Sequence, residues 1–204
     1  MIIKVCGMRE AENIRQVELL GIGMIGFIFY SKSPRYVDEM PGYLPENAKR
    51  VGVFVNESKE MVLTLADRFS LDYIQLHGNE SPGYCASIKN AGLGVIKAFP
   101  IDGIADLRNV DDYEGICDYY LFDTKTHYKH GGTGKQFDWS VLYFYNGKTP
   151  FLLSGGINPF SARALKEFQH EALAGYDLNS RFESAPGVKN IGLLSSFLND
   201  LNNK

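Results

Sequence analysis

Cysteine is scarce in this chain. There are three among 204 residues, Cys6, Cys85 and Cys117, an odd number at spacings that match neither a zinc site nor a disulfide framework. Reduced thiols in a cytoplasm fit that usage. An excess of charge of one sign is also missing: the formal net charge is -3 and the pI near 5.8, so no basic field awaits nucleic acid or an anionic membrane. Any anionic ligand would need a local pocket. Long apolar runs are absent as well. The longest, such as residues 24–30, have strand length, and no basic segment followed by a long apolar stretch opens the chain, so neither export nor a membrane span is expected. There is no polar low-complexity tract. With 45% hydrophobic and 22% charged residues, the composition predicts one compact domain over residues 1–204 with a substantial core.

What the chain does have is a regular alternation. Short β-rich runs lie at 2–5, 24–29, 50–55, 73–76, 94–98, 119–122, 150–153 and 172–175. Between them, apolar residues at three and four spacing predict helices at 10–20, 58–69, 80–91, 104–110, 139–145, 159–168 and 191–201. The stretch 38–48, with Pro41, Gly42 and Pro45, predicts only a short or irregular helix. Strands joined through helical crossovers run parallel, and eight units of about 25 residues suit an α/β fold of the single-domain (β/α)8 TIM-barrel type near its lower size limit. An open doubly wound sheet is the competing architecture. It is disfavoured because the strand count reaches eight and no G-x-G-x-x-G follows the first strand.

In such a barrel the residues just after each strand face one mouth. Here that ring comprises Cys6-Gly7, Ser33-Pro34-Arg35, Asn56, His77-Gly78, Asp123-Thr124, the glycines of 131–134, Ser154-Gly155-Gly156 and residues 177–180. Cys6 sits where a strand gives way to a helical pattern, so a nearby helix amino terminus could favour its thiolate. A lone cysteine beside apolar residues is more often an inert filler of the core. Glycine-rich turns let backbone amides approach an anion, and barrels often hold phosphate after their last two strands. Tight turns alone would also want these glycines, but the two facing segments at 153–157 and 177–180, together with 131–134, favour a phosphate ligand.

Eight segments in order, KVCGM at 4–8, GFIFYSKSPRYV at 26–37, VGVFVN at 51–56, IQLHGNES at 74–81, LFDTK at 121–125, GGTGKQFDW at 131–139, LSGGINP at 153–159 and DLNSRFESAPGVKN at 177–190, closely resemble phosphoribosylanthranilate isomerases from end to end. The resemblance implies a (β/α)8 barrel and an Amadori rearrangement in tryptophan biosynthesis, from N-(5-phosphoribosyl)anthranilate to its open-chain ketose. It implies Cys6 as general base, Asp123 as general acid and Arg35 as the ligand of the anthranilate carboxylate, with a surface ion pair as the plainer role for that arginine. It also implies phosphate binding by Gly134, Gly155, Gly156, Asn179 and Ser180, and an orienting or structural hydrogen-bonding role for His77. No metal and no cofactor is implied. The partner is a small phosphorylated substrate rather than nucleic acid or membrane, and the assembly is a monomer or a homodimer.

The chemistry needs one acid and one base. A proton to the ribose ring oxygen opens the ring, and removal of a proton from the second ribose carbon gives an enol amine that becomes the ketone. The aniline nitrogen stabilises the cationic imine between these steps. Cys6 must then act as a thiolate, and Asp123 must keep a proton. Holding an aspartate half protonated at pH 7 from a reference near 3.9 requires about 4 kcal/mol from its surroundings. Asp138 is expected to cap and Trp139 to pack at a helix start, and Cys85 and Cys117 are expected to be packing residues.

The chain departs from the family after Ser180, where a small residue and valine are usual and Arg181 and Phe182 stand instead. Arg181 either adds a contact to phosphate or turns outward. The stretch 126–130 carries two histidines three apart, but no third ligand lies nearby and a metal site is not expected. Other phosphate-binding barrels fit less well. A pentulose epimerase would show metal-binding histidines and acids at the strand ends, indoleglycerol-phosphate synthesis uses lysines there, and the histidine-pathway Amadori enzyme carries aspartate where Cys6 stands. A non-catalytic phosphate-binding barrel would have no reason to keep both acid and base.

Overall fold

A computed structural model describes residues 1–124 and 138–203. Eight parallel strands, β1 (Ile2–Cys6), β2 (Met24–Ile28), β3 (Lys49–Phe54), β4 (Tyr73–Leu76), β5 (Gly94–Ile101), β6 (Tyr119–Thr124), β7 (Phe151–Leu153) and β8 (Leu173–Leu178), close into a barrel in sequence order. β8 returns to pair with β1, setting Ile2 against Gly175 and Lys4 against Asp177. All eight predicted strands form, so the architecture is a (β/α)8 barrel.

Alternation along each strand divides the core in two. Met24, Val51, Ile96, Ala98, Leu121 and Leu152 fill the barrel interior. Their neighbours, such as Phe27, Ile74, Tyr120, Phe122 and Phe151, point outward under the helical layer. On β6 this parity puts Asp123 on the face of Leu121, one step nearer the mouth. On β1 it puts Cys6 on the face of Lys4.

Outside lie α1 (Ala11–Glu18), α2 (Lys59–Phe69), α3 (Pro82–Lys89), α4 (Ala162–Glu167) and α5 (Ile191–Asn202). Ser58, Ser81 and Asn190 cap α2, α3 and α5 by accepting from the amides of Met61, Tyr84 and Leu193, and Pro82 opens α3 where its missing N–H costs nothing. Ile104–Tyr113 and Trp139–Phe144 are 3-10 helices. Asp138 caps the second by accepting from Ser140 N, and Trp139 is buried against the core, as their residue types predict. Cys85 and Cys117 are both buried in the outer core. After β8 a 3-10 turn, Ser180–Phe182, leads into a hairpin of β9 (Glu183–Ala185) and β10 (Val188–Lys189) that the period analysis did not anticipate.

The stretch 38–48 forms no helix. Its prolines deny it the amide donors of a helical ladder, and Glu18 at the end of α1 organises it instead. The Glu18 carboxylate accepts from Asn47 N at 2.6 Å, Ala48 N at 2.9 Å and the Tyr43 hydroxyl. Glu18→Ala strands those donors, two of them backbone amides, and should destabilise the protein by about 1–3 kcal/mol in urea unfolding. The effect should be seen as a lower midpoint with an unchanged slope.

Candidate active site

The carboxyl ends of the strands surround a cavity of about 450 Å³. Cys6, Arg35, His77, Asp123, Gly155, Gly156, Asn179 and Ser180 all line it, so eight of the nine predicted site residues converge there from the ends of six strands or the loops that follow them. The ninth, Gly134, lies outside the described residues, as do the two histidines of 126–130. Arg181 is exposed and also borders the cavity.

Arg35 is not part of a surface pair. Its Nε donates to Glu183 Oε1 at 2.8 Å and its Nη2 to Glu183 Oε2 at 2.6 Å, with the two side chains 13% and 5% exposed. The side-on edge of the guanidinium is therefore committed to the protein, and Nη1 makes no hydrogen bond to a described residue. Glu183 also accepts from the buried ammonium of Lys189, which in turn donates to Asn179 Oδ1 at 2.8 Å. One buried carboxylate thus ties Arg35, on the loop after β2, to Asn179, at the end of β8. Burial alone would raise the Glu183 carboxyl; hydrogen bonds from Arg35 and the charge of Lys189 outweigh it and hold the group below its ordinary value. Gly7 makes this junction possible, since a Cβ there would come within 2.6 Å of Arg35 Cδ and 2.9 Å of Asn179 Oδ1.

Asp123 Oδ1 accepts from the amide of Thr124 at 2.8 Å, and Oδ2 lies 3.5 Å from His77 Nε2. On its other side, His77 Nδ1 is 2.9 Å from Gln75 Nε2. A Gln75 amide donating to Nδ1 leaves the proton of a neutral imidazole on Nε2, facing Asp123. His77 thus lines the cavity with its Nε2 edge beside the Asp123 carboxyl group.

Beside Asp123, after the neighbouring β7, Gly155 and Gly156 put only backbone, their amides included, at the cavity wall, with φ of +79° and +76°. Those amides make no hydrogen bond to another described residue. A Cβ on Gly155 would lie 2.4 Å from Thr124 Oγ1. The segment after β8 is a single 3-10 turn of three residues, too short to sum a helix dipole. Phe182, the departure next to Arg181, is fully buried and packs edge-on against Phe197 of α5 with ring centroids 4.9 Å apart.

The helix expected to assist the Cys6 thiolate is too far along the chain, since α1 begins only at Ala11. Burial raises the Cys6 thiol above its ordinary value; Lys4 and Lys189 pull it down and Asp177 pushes it up. Lys4, Gln75, Glu183 and Lys189 were not singled out by sequence reasoning. Lys4 could have been found from its position two residues before Cys6 on one strand face, and the hairpin carrying Glu183 and Lys189 from its Pro186-Gly187 turn signal.

The family described as N-(5'phosphoribosyl)anthranilate (PRA) isomerase matches residues 3–200. The chain is 54% identical to the N-(5'-phosphoribosyl)anthranilate isomerase of Phocaeicola vulgatus, over 100% of this chain and 99% of that protein. It is 50% identical to that of Parabacteroides distasonis, over 98% and 93%. Among solved structures it is similar to the phosphoribosyl anthranilate isomerase of Thermotoga maritima, with a TM-score of 0.84 and 32% identity over 98% of both chains. It is also similar to a phosphoribosyl anthranilate isomerase in complex with reduced 1-(o-carboxyphenylamino)-1-deoxyribulose 5-phosphate, with a TM-score of 0.81 and 29% identity over 98% of both chains.

Because the Cys6 thiol is raised, little thiolate is present at neutral pH and more forms as pH climbs. Iodoacetamide should label Cys6 slowly at pH 7, and the rate should rise about tenfold per pH unit towards the thiol's value. Mass-spectrometric mapping of the labelled peptide against pH checks this; a rate already level below pH 8 would contradict it.

Proposed function

The chain belongs to the phosphoribosylanthranilate isomerase family, and from that premise we propose that Cys6 and Asp123 are the base and acid of its reaction. The enzyme catalyses the Amadori rearrangement of N-(5-phospho-β-D-ribosyl)anthranilate to 1-(2-carboxyphenylamino)-1-deoxy-D-ribulose 5-phosphate in tryptophan biosynthesis.

In this reading Asp123 gives its proton to the ribose ring oxygen, and the C1–O bond breaks as the aniline nitrogen lone pair forms the iminium. The Cys6 thiolate then takes the proton from C2, and the electron pair of that C–H bond neutralises the iminium to give the enol amine. Tautomerisation, with a proton added at C1 and lost from the C2 hydroxyl, gives the ketone. The nitrogen of the substrate supplies the electrophilic activation, so the steps call on no cofactor. Arg35 receives the anthranilate carboxylate through its Nη1 end, and the amides of Gly155, Gly156 and Ser180, with Asn179 and Gly134, receive the phosphate. His77 orients Asp123. The observation that carries the reading is that Cys6 and Asp123 face one cavity between a clamped arginine and a pair of unbonded glycine amides. The reading extends to a monomer or homodimer at work in the cytoplasm with no nucleic acid or membrane partner. One relative from Thermotoga maritima is described as dimeric and has been made monomeric. No helix among the described residues is long and apolar enough to cross a membrane.

An assay following loss of anthranilate fluorescence on freshly made substrate tests the assignment. Cys6→Ser and Asp123→Asn should each lower kcat by about 10²–10⁴. Near-wild-type turnover in both would overturn the acid–base pair even though the reaction stands. Arg35→Ala should cost about 2–4 kcal/mol in kcat/KM, and lysine should restore only part of it. For Arg181, a phosphate contact should make Arg181→Ala raise KM by an amount worth about 1.5–3 kcal/mol, whereas an outward side chain should leave KM within about twofold.

A further inference from the structure

The assignment of Cys6 as a base leaves open what steadies a negative sulfur inside the barrel. Sulfur has little room and little water there. Cys6 is 4% exposed, and it packs so closely on β2 that a Cβ at Gly26 would come within 2.9 Å of Sγ. The helix amino terminus is remote. The charged side chains that act on Cys6 come from three strands: Lys4 on β1, Asp177 on β8 and Lys189 on β10.

Of these, Lys4 is the one built for the task. Residues 4 and 6 share one face of β1, and the parallel register sets Asp177 directly beside Lys4. The ammonium is fully buried and donates to Asp177 Oδ1 at 2.8 Å, yet that carboxylate takes only one of its three protons. The same side chain lies two residues before Cys6 on the inward face of β1, deeper in the barrel than the sulfur. Lys189, by contrast, spends its hydrogen bonds on Glu183 and Asn179. A buried cation normally needs just one counter-charge, and Asp177 already supplies it. The placement of Lys4 beneath the sulfur is therefore surplus to packing.

Resting on the reading of Cys6 as the base, we propose that Lys4 is a positioning residue of the reaction: anchored by Asp177, its ammonium is the counter-charge of the Cys6 thiolate. When the thiol loses its proton to solvent, the sulfur becomes a second anion on Lys4. When the sulfur takes the C2 proton of the substrate, that charge disappears and Lys4 is again paired with Asp177 alone. The pair thus forms a fixed dipole below the mouth that favours the ionised sulfur before the substrate proton moves.

The test reads the sulfur directly. In Lys4→Met, Cys6 alkylation by iodoacetamide should be at least about tenfold slower than in wild type at pH 8.5, with its pH profile displaced upward. Turnover should fall by a similar factor while KM stays within about twofold. Lys4→Arg should restore most of both. Because Lys4→Met leaves Asp177 buried without its partner, the double variant Lys4→Met/Asp177→Asn, which removes both charges, serves if the single variant does not fold. Cys6 shares a strand face with Lys4, whereas Asp177 lies across from Lys4 on the neighbouring strand, so alkylation in the double variant should also be slower than in wild type. A folded Lys4→Met with an unchanged alkylation profile would overturn the proposal, as would a double variant that reacts as fast as wild type. Cys6→Ser turning over normally would instead overturn the role of Cys6, and the alkylation profiles would still report whether Lys4 acts on the sulfur.

Discussion

Everything at the mouth of this barrel depends on the pairing of β8 with β1. That ladder sets Lys4 against Asp177, residues 173 positions apart in the chain, and makes their ion pair possible. It also brings the amides after β8 to the edge of the cavity that Cys6 enters from β1. A buried lysine with no carboxylate in reach would be costly, as would a buried aspartate with no cation. The two charges therefore enforce the register in which the barrel closes. A slip of one residue would turn Asp177 to the outer face and leave both groups unpaired.

The second organising contact is the Glu183 carboxylate. Arg35 is a long, flexible side chain, and holding it in one orientation has an entropic cost of up to about 2 kcal/mol. Glu183 meets that cost within the protein by gripping Nε and Nη2. Lys189 on the same carboxylate keeps the cluster from being a simple pair and reaches on to Asn179. Arg35 and Asn179, which meet over Gly7, thereby share one set of hydrogen bonds.

Much of this was legible in the chain. Strands such as Met24–Ile28 and Tyr119–Thr124 are short apolar runs with abrupt polar ends, and their spacing admitted few topologies. Cys6, Asp123 and Gly155-Gly156 stood out because polar or glycine residues right after an apolar run face the mouth of a parallel barrel. What was not legible depends on partners distant in sequence. Glu18 reads as an ordinary surface acid on an amphipathic helix, and only the folded chain reveals that 38–48 hangs from it. Lys4 reads as a polar interruption of β1 until Asp177 is seen opposite. Glu183 and Lys189 sit on a hairpin of three and two residues, too short for any period to register.

The burial of Phe182 gives α5 a meaning beyond covering the barrel. That ring sits two residues after Ser180 and rests on Phe197, in the middle of the helix. The turn whose amides face the cavity is thus seated on the outer helical layer as well as on the end of β8. A ligand gripping that turn would pull on α5 as it closed, and fraying of α5 would loosen the turn. Were an anion held by that turn, its binding and the attachment of the last helix would be linked through this one ring contact.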